Sequence, residues 1–389
     1  MTPAVITDDQ RRARLGARHL LPRLGTTVEQ VADALVGLHA SDPATVYLSA
    51  FARLREPSAA DVEDALYDRR TLTRLLAMRR TMFAVTTTSA PTVHAAAALA
   101  VAAKERAGLV KHLADGVGWD AARLAEVEQA TLDAVAAHGE ITAADLGKAV
   151  PALLEQVVIA PGKPYETRQN VSGRIIRVLA AEGRLRRARP RGSWVSSQFR
   201  WAPATPPTAL DVPTAQADLV RAWLTTYGPG TEADLKWWTG LTLGAIRKAL
   251  AAVHAEQVTL STGTGWVLPG DTDTVEATPW IALLPALDPA PMGWQGRDFY
   301  LRPEWKPRLF DYSGNIGPTV WRDGEVIGGW AQRPDGAITW RLLLDAGTET
   351  EAAVAAEADR LAALIGDARV VSRFPAPLEK ELVSRKRPG

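Results

Sequence analysis

Two stretches of the chain repeat one another: AAHGEITAADL, ending at Leu146, and TTYGPGTEADL, ending at Leu235. Each reads as the end of a helix, a glycine, a short gap, and a threonine followed two residues later by Asp-Leu. The copies lie about 90 residues apart, so one supersecondary unit is used at least twice. The second copy shows what that unit is. Residues 215–227 place Leu219, Val220, Trp223, Leu224 and Tyr227 at helical spacing, and Gly228-Pro229 stops the helix. Thr231 then caps a short helix, with Asp234 at the third helical position. A third helix over 242–254 carries Leu243, Ile246, Leu250 and Val253 along one stripe. QVTLSTGTGWVLPG follows as a hairpin. Three helices and then a hairpin is the order of a winged helix, a helix-turn-helix with a β-wing.

The first copy has the same order. A helix over 122–138 closes at His138-Gly139, and Thr142 caps TAADLGKAV. After an insertion come the helix NVSGRIIRVLAAEG and a hairpin turning near Pro190–Gly192. A further copy is expected at the start. There, residues 9–20 are helical, Thr27 caps VEQVADALVGLHA, 58–67 are helical, and RTLTRLLAMRRTMFAVTTTS ends in a strand. The Ala-rich 91–113 is a connecting helix. Pro-rich breaks at 202–213 and 269–291 act as linkers. Beyond them, strands separated by Asp-Gly turns, a helix over 349–365 and the basic tail SRKRPG finish the chain. The expected fold is α+β: tandem winged-helix units with a small C-terminal β-rich unit. The expected division is 1–115, 116–205, 206–275 and 276–389.

The net charge of the whole chain, +1, says nothing about partners, but its distribution does. Residues 163–200 hold ten Lys/Arg and two Glu, and 69–80 hold five Arg and no acid. Arg174 and Arg177 fall on the third helix of the 116–205 unit. Arg184, Arg186, Arg187, Arg189 and Arg191 fall on its wing. In a winged helix these elements face DNA, and Trp194 on the same wing could wedge into a groove or else pack in the core. A solvated cationic face is the plainer alternative.

Enzyme signatures are few. GxSxG, HExxH, GxGxxG and the P-loop are absent. With no cysteine and six scattered histidines, neither a metal nor another cofactor is expected. No apolar run is long enough to span a bilayer, and the N-terminus lacks signal-peptide order. A cytoplasmic, nucleoid-associated monomer is expected. One segment does carry candidate chemistry: LVGLHASDPATVYLSAFAR, residues 35–53. A helix carrying Val31, Leu35 and Leu38 runs into His39-Ala40-Ser41-Asp42, and Pro43 opens a new helix with Asp42 as N-cap. His39 and Ser41 would then lie at a helix–helix junction.

This segment resembles the signature of the bacterial AlkZ/YcaQ-like winged-helix DNA glycosylases, close to LVGLQxQDP…YL…AR. The resemblance continues at AMRRTMFAV (77–85), AWLTTYGPGTEADLKWWTGL, WIALLPALDP (280–289) and GPTVWRDGEVIGGW, in order along the chain. It implies tandem winged helices around a cationic channel for damaged double-stranded DNA. It also implies excision of bulky or N7-alkylated purines, in DNA repair or self-resistance. The family's Gln-apolar-Gln is here His39-Ala40-Ser41. His39 is expected to position a water or act as a base near neutral pH, Ser41 to hold the same water, and Asp42 to support His39 unless it is spent as a cap. Arg53, Arg79 and Arg80 match further family positions and are expected either at phosphates or buried under ion pairs. No lysine lies near the motif, so a lyase step is not expected. The alternative is a winged-helix DNA binder, a regulator or lesion sensor, in which His39 and Ser41 only satisfy buried backbone groups.

Overall fold

The computed structural model describes every residue except 1–2, 160–161, 164–165, 374 and 385–389. The basic tail after Ser384 is therefore outside the described residues. Helices and antiparallel strands alternate in a mixed α+β architecture.

The middle segment follows its pattern closely. Helices Val212–Tyr227, Glu232–Thr239 and Leu243–Ala252 lead into the antiparallel strands Glu256–Leu260 and Gly263–Val267. Thr231 accepts the Asp234 N–H, and the Asp234 side chain returns the bond to the Thr231 N–H. Ile246, Leu250 and Val253 are buried, but Leu243, in the first turn of its helix, is exposed. The N-terminal pair Ala4–Val5 adds a parallel edge to this hairpin. The preceding segment repeats the order with helices Ala121–His138, Ala143–Ala149 and Ser172–Ala181 and strands Leu185–Pro190 and Phe199–Pro203. Its insertion is a small hairpin, Gln156–Ile159 with Thr167–Asn170.

The first segment departs from its pattern at the motif. The helix expected through Leu38 ends at Ala34, because Val36 (φ 53°) and Gly37 (φ 110°) turn the chain. At Gly37 a Cβ would meet the Val85 side chain at 2.8 Å, so a larger residue would both strain the backbone and collide. Leu38–His39 then form a short strand beside Met82–Thr86, which pairs with Leu72–Leu76. His39 is a strand residue, not a helix-end residue. The C-terminal segment is a four-stranded antiparallel sheet in sequential order, Ile281–Leu284, Thr319–Arg322, Glu325–Gln332 and Ile338–Leu342. Helix Thr348–Ile365 packs on it.

The 116–205 segment holds its own core around Val135, Leu146, Ile175 and Leu179. Two larger cores join the first segment to the C-terminal segment, and the middle segment enters one of them. One of these joins Phe83 and Val85 to Trp223, Tyr227, Trp238 and Trp321, and the other joins the 28–66 helices to Trp330 and Leu361. The Tyr227 hydroxyl donates to the Leu35 carbonyl at 2.9 Å. The middle segment thus buttresses the turn that aims the motif strand.

Candidate active site and nucleic-acid interface

Pairing with Met82–Thr86 fixes the motif. His39 lies opposite Phe83, and the Ala40 N–H donates to the Met82 carbonyl at 2.7 Å. Strand alternation sets His39 and Ser41 on one side of this extended stretch and Ala40, which is buried, on the other. The His39 ring meets Phe83 edge-on at 5.4 Å, and its Nδ1 is buried with no protein partner. Burial, followed by the charge of Arg79, pushes its pKa down to about 3. The expectation of an imidazole titrating near neutral pH is therefore corrected: desolvation and a neighbouring cation both penalise the imidazolium. The Ser41 hydroxyl accepts the Met82 N–H at 3.3 Å and keeps its own proton to donate.

Asp42 is committed elsewhere. Its carboxylate accepts the Ala44 N–H at 3.0 Å as the cap of helix Pro43–Phe51. Burial raises its pKa, against backbone bonds from Ala44 and Arg373.

Arg53 does not face DNA. It is fully buried, donates to both Asp288 oxygens at 2.8 and 2.7 Å, and also bonds the His19 and Ser49 carbonyls. Of its two expected roles the structure takes the second, an internal ion pair that ties the motif helix to the C-terminal segment. For Trp194 the structure takes the packing alternative. Its ring sits 4.9 Å from Tyr47 and 6.0 Å from Phe51, docked on the motif helix rather than projecting as a wedge. Arg189 belongs to this docking, since it pairs with Glu63 and, at 2.8 Å, with Asp68.

The remaining arginines line clefts. Arg186 and Arg187 share a cleft of about 300 Å³ with Arg69, Arg70, Arg74 and Thr87. Burial and then Arg74 lower the Arg187 pKa to about 10, while burial and then Arg70 lower that of Arg186. Both arginines thus feel a neighbouring like charge. Arg69 is neutralised by Glu29 and Asp64. The Arg74 guanidinium instead donates to the Tyr67 hydroxyl at 3.1 Å, and Arg187 lies 4.7 Å from the Phe199 ring centre. Arg80, Arg174 and Arg177 line a second cleft, of about 480 Å³, with Lys104, Gln169 and Asn170. Glu105 in that cleft pairs with both Arg80 and Arg177. Arg191 lines a third, of about 500 Å³, beside Ser197 and Gln198. Arg184 only approaches Glu128, at 3.9 Å. Arg79 is half-buried, 4.0 Å from the Trp237 ring centre.

Sequence reasoning counted Arg70 and Arg74 only as charge and missed Lys104, Gln169 and Asn170. The last three carry no local signal, because the fold alone brings them to the cleft. Among the described residues no cluster of His, Asp and Glu could hold a metal ion, and no helix is long and apolar enough to cross a membrane.

Cationic clefts on a frame of helix-and-hairpin units define a class of protein that handles a polyanion. A sequence model of the AlkZ-like DNA glycosylases matches residues 32–364, and the chain belongs to that family. Among solved structures it is similar to DNA glycosylase AlkZ of Streptomyces sahachiroi, with a TM-score of 0.71 over 95% of this chain and 99% of that one. Identity between the two is 20%, so this likeness concerns the fold. No curated protein sequence matches.

Proposed function

We propose that the protein hydrolyses the N-glycosidic bond of alkylated purines in double-stranded DNA, N7-alkylguanine above all, including bulky or intercalated natural-product adducts. It would act in repair or self-resistance as a monofunctional, cytoplasmic, nucleoid-associated monomer without metal or cofactor. The segments 1–115, 116–205 and 206–275 would serve as tandem winged helices, with 276–389 closing the frame.

The observation that carries this reading is His39. It is held neutral, has a buried unpartnered Nδ1, and lies two residues from a hydroxyl that can still donate, in the stretch that resembles the family's Gln-apolar-Gln signature. An N7-alkylguanine is cationic, so the electrons of the breaking C1′–N9 bond neutralise it and it leaves as a neutral base. Little is then asked of the protein beyond placing a water at C1′. A neutral imidazole can hold that water by one hydrogen bond, and Ser41 by another. With a pKa near 3, His39 is a poor store for the water's proton, which passes to bulk solvent. The arginines of the three clefts that no carboxylate engages would bind the phosphodiester backbone.

The test is incubation with duplexes carrying N7-methylguanine or a bulky N7-guanine adduct, followed by assay for abasic sites. Release that His39→Ala abolishes while DNA affinity is kept supports the reading. Tight binding without abasic sites on any alkylated duplex would leave the second reading, a non-catalytic DNA binder. That reading is favoured by the 3% exposure of His39.

A further inference from the structure

The short helix Glu232–Thr239 carries two adjacent tryptophans. Successive helical residues point about 100° apart, so the pair faces two ways. Trp238 turns inward, is 2% exposed, and packs 6.0 Å from Phe83, the residue opposite His39. Trp237 turns outward and remains half-buried. Two guanidinium groups have gathered on its ring: Arg79 at 4.0 Å from the centre and Arg297 at 4.8 Å. They come from distant parts of the chain. Arg79 sits in the turn between strands Leu72–Leu76 and Met82–Thr86, and Arg297 in the loop after Trp294.

Both arginines are held in place. Arg79 and Arg80 take left-handed backbone angles (φ 54° and 59°), which bend the turn toward the helix. The Asp234 carboxylate accepts the Gln295 and Gly296 N–H groups at 2.9 Å, which fixes the loop immediately before Arg297. The Arg297 Nε donates to the Pro291 carbonyl at 3.3 Å. From the two ring distances, no more than about 9 Å separates the guanidinium carbons.

Their charges are uncompensated. Neither arginine forms an ion pair with a described residue. Burial, and then the charge of Arg297, lowers the Arg79 pKa to about 10, and Arg79 Nε is buried without a partner. Two like charges stacked on one indole repel each other. The indole face offsets part of that repulsion but cannot replace an anion. A tetrahedral anion with several acceptor oxygens would satisfy both guanidinium forks together.

We propose that Arg79, Trp237 and Arg297 form a clamp for a single backbone phosphodiester of DNA, anchoring the strand beside the His39 motif. The clamp rests on the nucleic-acid reading above and adds Trp237 and Arg297 to the interface. Arg79 then holds a phosphate close to His39, whose imidazole is kept neutral first of all by burial.

The test is fluorescence anisotropy of a labelled, undamaged duplex titrated with the full-length protein over a range of sodium chloride concentrations. Arg297→Gln should weaken binding roughly tenfold at low salt and reduce the slope of log K against log salt by about one. Arg297→Lys keeps the charge and should restore the slope, which a purely packing role would not produce. If Arg297→Gln fails to fold by thermal melting, Arg79→Gln carries the same expectation. Wild-type affinity and slope in the folded neutral variants would overturn the clamp. A wild-type protein that binds duplex, responds to these variants and makes no abasic sites loses the glycosylase reading but keeps the clamp. A wild type that binds no duplex loses both.

Discussion

His39→Gln places at position 39 the residue that the family signature carries there, and it tests how the imidazole is held. In the folded protein the His39 pKa is about 3, against an ordinary value of 6.5. The sign follows from proton counting. Between those two values the unfolded chain binds a proton that the folded protein does not, so stability falls as pH drops through 6.5 and goes on falling until about 3. At pH 7 almost none of the penalty is felt, whereas at pH 4.5 it amounts to about 2.5 kcal/mol. Glutamine does not titrate. The stability of wild type minus that of His39→Gln should therefore become about 2.5 kcal/mol less favourable between pH 7 and pH 4.5. Other buried histidines, such as His19, also resist protonation, but they titrate alike in both proteins and cancel. Urea denaturation of both proteins at the two pH values measures the difference. In the same variant, adduct release should persist, because glutamine can also hold a water, and the wild-type rate should show no titration near 6.5. A stability difference that stays constant within about 0.5 kcal/mol would mean that His39 titrates normally. That result would remove the neutral-imidazole argument and restore a general base.

Arg53→Ala strands Asp288, a fully buried carboxylate, without its cation and should cost about 3–5 kcal/mol in urea denaturation. Arg53→Met with Asp288→Leu should recover most of that loss, since no unpaired charge is left. Arg187→Glu, beside the like charge of Arg74, should weaken duplex binding and flatten its salt dependence, as read by anisotropy. Arg189→Glu should alter binding far less, because Arg189 is engaged by Glu63 and Asp68; equal losses at the two sites would reject this division. Trp194→Ala should lower stability by about 1–3 kcal/mol with less than about a threefold change in DNA affinity, since the ring packs on Tyr47 and Phe51.

Local chemistry made much of the fold legible. Thr27, Thr142 and Thr231 were readable as caps because each side chain accepts an N–H three residues on. The buried stripe from Leu219 to Tyr227 has one period and one consequence. The motif was misread where two local rules competed. Val31, Leu35 and Leu38 fit a helical stripe, and only the left-handed Val36-Gly37 pair ends it. The reason for that stop lies near Val85, about fifty residues away. Arg53 stays open between a phosphate contact and an ion pair in the sequence for the same kind of reason. Nothing near it in sequence announces Asp288, and an arginine reads as a surface residue until its partner is known.

The same limit explains why charge counting marks a region without telling which of its arginines are free of carboxylates. Ten cations in 163–200 mark a cationic surface, but a guanidinium is available to DNA only where no carboxylate has taken it. Glu63 and Asp68 take Arg189, Glu29 and Asp64 take Arg69, and Glu105 is divided between Arg80 and Arg177. Among the arginines that no carboxylate takes are Arg74 with Arg187, and Arg79 with Arg297. Each of these pairs joins arginines from different segments, and in each a buried arginine is depressed by the other's charge. The composition of one segment cannot reveal such a pair. Like charges are brought together at a cost in stability by the packing of separate units, and a bound polyanion is the partner that would repay it.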